Sequence, residues 1–230
     1  MTKNILALGF VALGILPSAA RADLITGELN FTGSATVTLD RVAFKNSHVF
    51  DVGPANMQQG GFMALGGTSG SIDDITDPPY ATGTIFPTPD FITFAAAPNI
   101  SITLLELVPG SDGAAGCADT PAAAGQACTP NTPGEDQFNL LNTSATSSRA
   151  SFSILANEVD SLTHTSMTVT GTFTIPVTTL NFQDLLRVLN GEGSVTVSIS
   201  GQIIATDAAA APEPAALTEL LIGIGALGSM

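Results

Sequence analysis

Met167-Thr-Val-Thr-Gly-Thr-Phe-Thr-Ile175 is the stretch that decides the fold class of this chain. Apolar residues alternate with threonine, so an extended strand here would have one apolar face and one hydroxyl-bearing face. A helix would instead spread the apolar residues around all of its sides, and β-branched threonine and valine would lose rotamer freedom in it. Val195 to Ile203 repeats the pattern with valine, isoleucine, serine and threonine. Both stretches therefore predict half-buried β-strands.

Interrupted versions of the same pattern predict further strands. The candidates are Leu29 to Phe31, Ala35 to Leu39 after a turn at Gly33-Ser34, Val42 to Phe44, Phe91 to Phe94, Ile100 to Leu107, Phe138 to Leu141 and Phe152 to Leu155, with residues 61–67 as a weaker one. The apolar phase slips by one residue at Asp40-Arg41 and again at Leu104-Leu105. Such a slip would turn the apolar set outward, so we expect a β-bulge at both places.

One segment has helical rather than strand periodicity. Its apolar residues recur at helical spacing from Phe182 to Leu189. Asn181 precedes them as a capping residue, and Asn190-Gly191 follows as a stop signal. About ten strands and one short helix predict an all-β fold. A single antiparallel β-sandwich is the expected architecture, and a barrel is the second choice.

The charge balance limits the partners of the expected domain, residues 23–207, which is long enough for one substantial core. From Asp23 onward the chain has four Lys or Arg residues and twenty Asp or Glu residues, a formal charge of −16. Nucleic acid is therefore not expected as a partner, because four dispersed cations cannot neutralise a run of phosphates. The same shortage disfavours electrostatic docking to anionic lipid.

Residues 1–22 have the three parts of an export signal. Lys3 supplies the positive start, Ile5 to Leu16 form an apolar run, and Ala20-Arg-Ala22 is a small-x-small cleavage motif. The apolar run of twelve residues is shorter than the roughly 20 that a membrane-spanning helix needs. We therefore expect a signal helix that is removed after Ala22.

The C-terminal segment contains a short proline motif. Pro212, Glu213 and Pro214 end an Ala/Pro-rich linker, residues 208–214, and a mostly apolar tail, residues 215–230, follows. Together with the export signal, this arrangement resembles the PEP-CTERM sorting signal of bacterial envelope proteins. The tail contains no Lys or Arg, whereas the family's tail ends in a basic cluster.

The resemblance implies a location and a set of partners. An exosortase-type membrane protease would recognise the sorting signal, and the apolar tail would give a transient or weak association with the membrane. The protein would be exported to the cell envelope or the extracellular matrix, in association with exopolysaccharide. Since the chain has few Lys residues to block the pairing of edge strands, we also expect self-association.

Cys117 and Cys128 lie eleven positions apart within an unusually long connection, residues 109–136. In an exported chain we expect them to form a disulfide that orders part of this connection. A metal site is the alternative, and it is disfavoured because His48 and His164 are distant in sequence.

Asp73, Asp74 and Asp77 form an acidic cluster after a glycine-rich run. Their carboxylates are the kind of ligand that Ca²⁺ takes, although the spacing does not match an EF-hand loop. A solvated acidic turn is the alternative, and we expect no other cofactor.

No pattern in the sequence indicates catalysis. The many acidic residues do not single out a pair for hydrolysis, and a Gly-x-Ser-x-Gly motif is absent. We therefore expect a non-catalytic protein. The alternative is a glycan- or calcium-binding β-sandwich module whose pocket is formed by residues 66–80, including Tyr80, and by the 109–136 connection.

Overall fold

The computed structural model describes residues 25–45, 48–76, 81–132 and 135–206. The expected signal peptide with Ala20 and Ala22, the linker with Pro212, Glu213 and Pro214, and the tail 215–230 lie outside the described residues. Asp77 and Tyr80 lie outside them as well.

Alternating sequence patterns form strands along about half of the described residues. The strands are β1 (Gly27–Val37), β2 (Arg41–Phe44), β3 (Val49–Val52), β4 (Gln59–Gly60), β5 (Ser69–Ile72), β6 (Ile75–Thr76), β7 (Thr88–Phe94), β8 (Ile100–Val108), β9 (Ala127–Cys128), β10 (Asn139–Asn142), β11 (Ser148–Asp160), β12 (Thr165–Val177) and β13 (Val195–Ala205). The helix α1 (Phe182–Asn190) connects β12 to β13, and short 3₁₀ helices cover Ala55–Met57, Gly61–Leu65 and Ala115–Ala118.

Eight of these strands close into an antiparallel barrel. The order around it is β12, β13, β1, β3, β5, β7, β8 and β11, and β11 pairs with β12 along thirteen residues to complete the ring. The all-β antiparallel fold with one short helix is confirmed, and the barrel is the second of the two architectures considered. The described strands at the margins of the sheet, β4, β6 and β9, are each two residues long.

Phenylalanine rings fill the barrel interior. Phe31 lies between the rings of Phe50 and Phe173 in a chain of contacts, with centroid distances of 4.6 Å and 5.7 Å. The strand residues that lie against the rings of Phe31 and Phe50 are glycines. A Cβ added to Gly201 would lie 2.1 Å from Cζ of Phe31, and one added to Gly70 would lie 2.2 Å from Cζ of Phe50. The rings therefore occupy the space that the side chain of any residue other than glycine would need at these two positions.

The two strands that decided the fold class behave as predicted. Along β12 the side chains of Val169, Phe173 and Ile175 are buried while the threonines between them are exposed or half-buried. β13 shows the same alternation. The bulge predicted in β8 is also confirmed, since Leu155 pairs with Glu106 and Ala156 with Leu104, which leaves Leu105 as the extra residue.

Three local predictions are wrong. Gly33-Ser34 is not a turn but the middle of β1, which pairs with β13 without interruption. Asp40-Arg41 is not a bulge, because β1 ends at Val37 and a hairpin turn leads into β2. Residues 61–67, a weak strand candidate, begin with the 3₁₀ helix Gly61–Leu65 instead.

Both predicted ends of α1 are confirmed. The Asn181 side chain accepts a hydrogen bond from the backbone N–H of Asp184 at 2.8 Å, and Gly191 follows the last helical residue. Phe182, Leu185 and Leu189 face the barrel and are buried. The helix covers one end of the barrel, which we call the helix end.

The predicted disulfide between Cys117 and Cys128 is confirmed, with Cα atoms 5.2 Å apart. It joins the 3₁₀ helix Ala115–Ala118 to β9 and so orders the described part of the 109–136 connection.

The first and last strands of the barrel are neighbours. Gly27 at the start of β1 pairs with Ala205 at the end of β13. Both described chain ends therefore leave the barrel at the same end, opposite α1, which we call the terminal end. Within the described residues, no helix has the length and apolar character needed to cross a membrane.

Candidate functional site

An open groove of about 570 Å³ runs along the outer face of three barrel strands. Two cross-strand rows of polar residues form its floor. These rows, each read from β12 through β13 to β1, are Thr172, Gln202 and Asn30, and then Thr174, Ser200 and Thr32. The same alternation that buries the apolar residues of these strands turns their polar residues outward. We call this surface, together with Glu28 and Met57, the polar groove.

Gln58 fixes one wall of the polar groove by acting as a short piece of strand. Its Oε1 accepts a hydrogen bond from the Asn30 backbone N–H at 2.6 Å, and its Nε2 donates to the Asn30 carbonyl at 3.0 Å. The amide therefore fills a gap in the pairing of β1, which contacts β4 at Glu28 and β3 from Phe31 onward. Gln58 is buried. The adjacent side chain of Met57 is 59% exposed and stands beside the floor.

Glu28 is held by three side-chain amides. Its Oε1 accepts from Asn30 Nδ2 and Gln202 Nε2, both at 2.8 Å, and its Oε2 accepts from Gln59 Nε2 at 3.2 Å. Asn30 Nδ2 also donates to the Met57 carbonyl at 2.7 Å. The network joins β1, β13 and the wall, so the polar groups of the groove have fixed orientations before any ligand arrives.

In the acidic cluster predicted to bind calcium, Asp74 holds other parts of the fold in place. Asp74 forms an ion pair with Arg41, and its Oδ1 accepts from the Phe44 backbone N–H at 2.8 Å. Asp73 is exposed, and Asp77 lies outside the described residues. Within the described ranges, no three His, Cys, Asp or Glu side chains are grouped as metal ligands. Calcium binding at Asp73, Asp74 and Asp77 stays a prediction.

The pocket expected from residues 66–80 and the 109–136 connection is not assembled by the described part of those segments. A shallow hollow of about 320 Å³ lies over Ser69, Gly70 and Ser71, and its other walls come from β3, β7 and the residues after β7. No described residue of the 109–136 connection contributes to it.

A small apolar cavity of about 30 Å³ lies beneath α1 at the helix end. Glu135 is the acidic residue on its wall, and its Oε1 has no hydrogen-bond partner among the described residues. Burial raises the pKa of the Glu135 carboxyl above its usual value.

A second buried carboxyl lies on the inward face of β11. Glu158 is fully buried, and its Oε1 accepts from the Ile25 backbone N–H at 2.8 Å. Burial raises the pKa of Glu158 from 4.5 to about 7, against the lowering effect of the Ile25 hydrogen bond. Sequence reasoning missed this residue because it ended the strand at Leu155. The alternation continues through Ala156 and would have placed Glu158 inside.

Sequence reasoning also missed the polar groove. The sequence feature that could have indicated the groove is the row of outward threonines on β12. That row predicts a solvated face, but it does not show which strands lie next to β12. No family model, curated protein or solved structure matches this chain in the three comparisons made. The functional proposal therefore depends on the sequence motifs and on the geometry of the site.

Proposed function

We propose that this chain is a non-catalytic exported protein of the cell envelope or extracellular matrix, and that it associates with exopolysaccharide through the polar groove. The observation that carries the proposal is the preorganised row of hydroxyl and amide groups along the groove floor. Sugar hydroxyls both donate and accept hydrogen bonds, and Thr, Ser, Asn and Gln side chains offer the complementary groups.

The shape of the groove fits a polymer better than a small molecule. It is open to solvent rather than enclosed, so an internal stretch of a polysaccharide can lie in it without a chain end being buried. The exposed Met57 side chain offers an apolar surface for the C–H face of a sugar ring. A saturable, specific fit for one oligosaccharide would instead make the barrel a dedicated glycan-binding module, which is the second candidate function.

The two ends of the chain supply the rest of the proposal. Residues 1–22 direct export, and the segment containing Pro212, Glu213 and Pro214 is the substrate of an exosortase-type protease. The apolar tail 215–230 gives a weak or transient association with the membrane before processing. Mass spectrometry of the native protein tests this, and we expect a chain that begins at Asp23 and ends near the proline motif. Recovery from the cytosol with residues 1–22 attached would contradict export.

A hydroxyl-deletion experiment tests the groove itself. Replacing Thr172 and Thr174 by valine removes two hydroxyls from the floor and keeps the side-chain shape. The affinity of the purified exported chain for the producing cell's exopolysaccharide, measured as retention, is expected to fall roughly 30-fold, because each of the two lost hydrogen bonds contributes about 1 kcal/mol. Thr103→Val is the matched control, since Thr103 lies on β8, opposite β1 in the ring of strands. Equal retention of the double variant and the control would overturn the proposal.

A further inference from the structure

We propose that the polar groove selects polysaccharide that carries free amino groups, and that Glu28 binds the ammonium group. This inference rests on the proposed function and specifies the class of polymer. The carboxylate of Glu28 lies in the groove, and among the described residues no Lys or Arg lines the groove or forms an ion pair with it.

The hydrogen bonds of Glu28 leave capacity for a ligand. A carboxylate offers about four lone-pair sites, and the three amide donors use two on Oε1 and one on Oε2. The amides hold the carboxylate in position without neutralising its charge. An ammonium group on a sugar would supply both the missing donor and the missing positive charge, and charge-assisted hydrogen bonds are the stronger kind.

The charges around the groove favour the same class of polymer. Asp51 on β3 pairs with Thr32 of the floor and is exposed on the same outer face. Glu28 and Thr32 are four residues apart on β1, which places the two carboxylates roughly 14 Å apart along the strand. Asp51 does not line the groove itself, so one amine-bearing chain meets both carboxylates if it lies in the groove and continues past Thr32 onto β3. Lys45 is a basic residue beyond the Thr32 end of the groove, where its backbone N–H donates a hydrogen bond to the Ser34 carbonyl.

The charge of the whole chain acts in the same direction over longer distances. A formal charge of −16 from Asp23 onward repels polyanions and attracts polycations. A carboxylated polysaccharide would need bridging cations, and the groove presents Glu28 as its one lining carboxylate among the described residues. A neutral polymer would use the hydroxyl and amide rows and leave the charge of Glu28 unused.

The test compares polymers that share a backbone and differ in charge. The purified exported chain is titrated with chitosan, with its fully N-acetylated counterpart and with alginate, in the presence and absence of calcium. We expect binding to chitosan to be stronger than to the acetylated polymer by about tenfold or more, the size of one charge-assisted hydrogen bond. The preference is expected to shrink at high salt, which screens exposed charges.

Matched charge variants assign the preference to the groove. Glu28→Gln is expected to lower chitosan binding to about the level of the acetylated polymer, and Asp51→Asn to lower it less. Glu106→Gln is the control, because Glu106 is a half-buried acid on β8, opposite β1. An equal loss in Glu28→Gln and Glu106→Gln would mean that only net charge matters, and would overturn the inference.

The outcomes separate this inference from the proposed function. Equal binding of the unaltered chain to chitosan and to its acetylated counterpart overturns the amine selectivity and leaves polysaccharide binding in place. Preference for alginate with calcium also overturns it, in favour of cation bridging. If none of these polymers and no exopolysaccharide of the producing cell is retained, the proposed function itself fails. Since the comparison uses the unaltered chain, instability of a variant cannot obscure these results.

Discussion

Gly201→Ala is expected to destabilise the barrel because the added methyl group would overlap a buried ring. Its Cβ would lie 2.1 Å from Cζ and 2.5 Å from Cε2 of Phe31, whereas ordinary van der Waals contacts begin near 3.4 Å. The ring would have to move by roughly 1 Å or more. It already contacts the rings of Phe50 and Phe173, so a shift of this size would disturb the packing of the interior.

The magnitude follows from two opposing effects. Overpacking of a core costs about 1–3 kcal/mol, and the stacked rings place this site toward the upper part of that range. Alanine recovers roughly 0.4–1 kcal/mol because it restricts the unfolded chain more than glycine does. The φ angle of Gly201 lies outside the left-handed region, so backbone strain adds nothing. We expect a net loss of about 2 kcal/mol, which lowers Tm by about 4–8 °C in a domain of this size.

Thermal and urea unfolding followed by circular dichroism, with the disulfide intact, measures the effect. Gly33→Ala is the matched control on an adjacent strand, since its Cβ would lie 3.5 Å from Cβ of Phe50 and 3.6 Å from Cγ2 of Ile199. That variant should match or slightly exceed the parent in stability. Combining Gly201→Ala with Phe31→Leu should cost less than the sum of the two single changes. Equal stability of the two alanine variants, or strict additivity in the double variant, would refute the reasoning.

Three further predictions concern other parts of the fold. Burial holds the pKa of Glu158 at about 7, above its usual 4.5, so the stability that the protonated group contributes is complete below pH 4.5 and is lost as pH rises through 7. Glu158 should therefore make the unfolding free energy fall by about 3 kcal/mol over this window, and Glu158→Gln should remove this contribution and leave that of Glu135, whose pKa burial also raises. Gln58→Leu should cost about 1–3 kcal/mol in urea unfolding, because it leaves the Asn30 backbone N–H without a partner and removes one of the two donors to the Asn30 carbonyl, which keeps the Gly53 N–H; a loss below 0.5 kcal/mol, roughly the scale of a neutral surface change, would contradict the strand-like role. Replacing Cys117 and Cys128 by serine should lower stability by at most about 3 kcal/mol through loop entropy, and complete unfolding in differential scanning calorimetry would mean that the bond does more than order a loop.

Periodicity predicted β12 and β13, whereas it predicted only the middle of β11, from Phe152 to Leu155. On β12 and β13 every second residue is apolar over a long stretch, and only an extended strand buries them together. The sequence also predicted the bulge in β8, since the adjacent residues Leu104 and Leu105 cannot both face inward on a regular strand. Gly33-Ser34 was misread because a glycine-serine pair favours turns locally. β13 pairs along the whole of β1 and overrides that preference.

The candidate site was harder to predict because it depends on contacts between distant residues. Nothing near Gln58 in sequence indicates that its amide will pair with the backbone of Asn30, and that pairing joins the groove wall to β1 between the contacts of β4 and β3. The floor brings Thr172 and Gln202 beside Asn30, and these side chains become neighbours only when the first and last strands of the barrel pair. Pattern alone shows which residues face outward; the strand order decides which of them form a surface.

The pairing of Gly27 with Ala205 also determines how the barrel would respond to mechanical force. When the start of β1 and the end of β13 are pulled in opposite directions, the load falls first on that residue pair and then on each following pair of the β1 and β13 seam in turn. The hydrogen bonds of the seam would open one after another like a zipper, rather than resist together in shear. Under tension applied through the start of β1 and the end of β13, these two strands would therefore separate before β11 and β12 do, because the force does not act directly on β11 and β12.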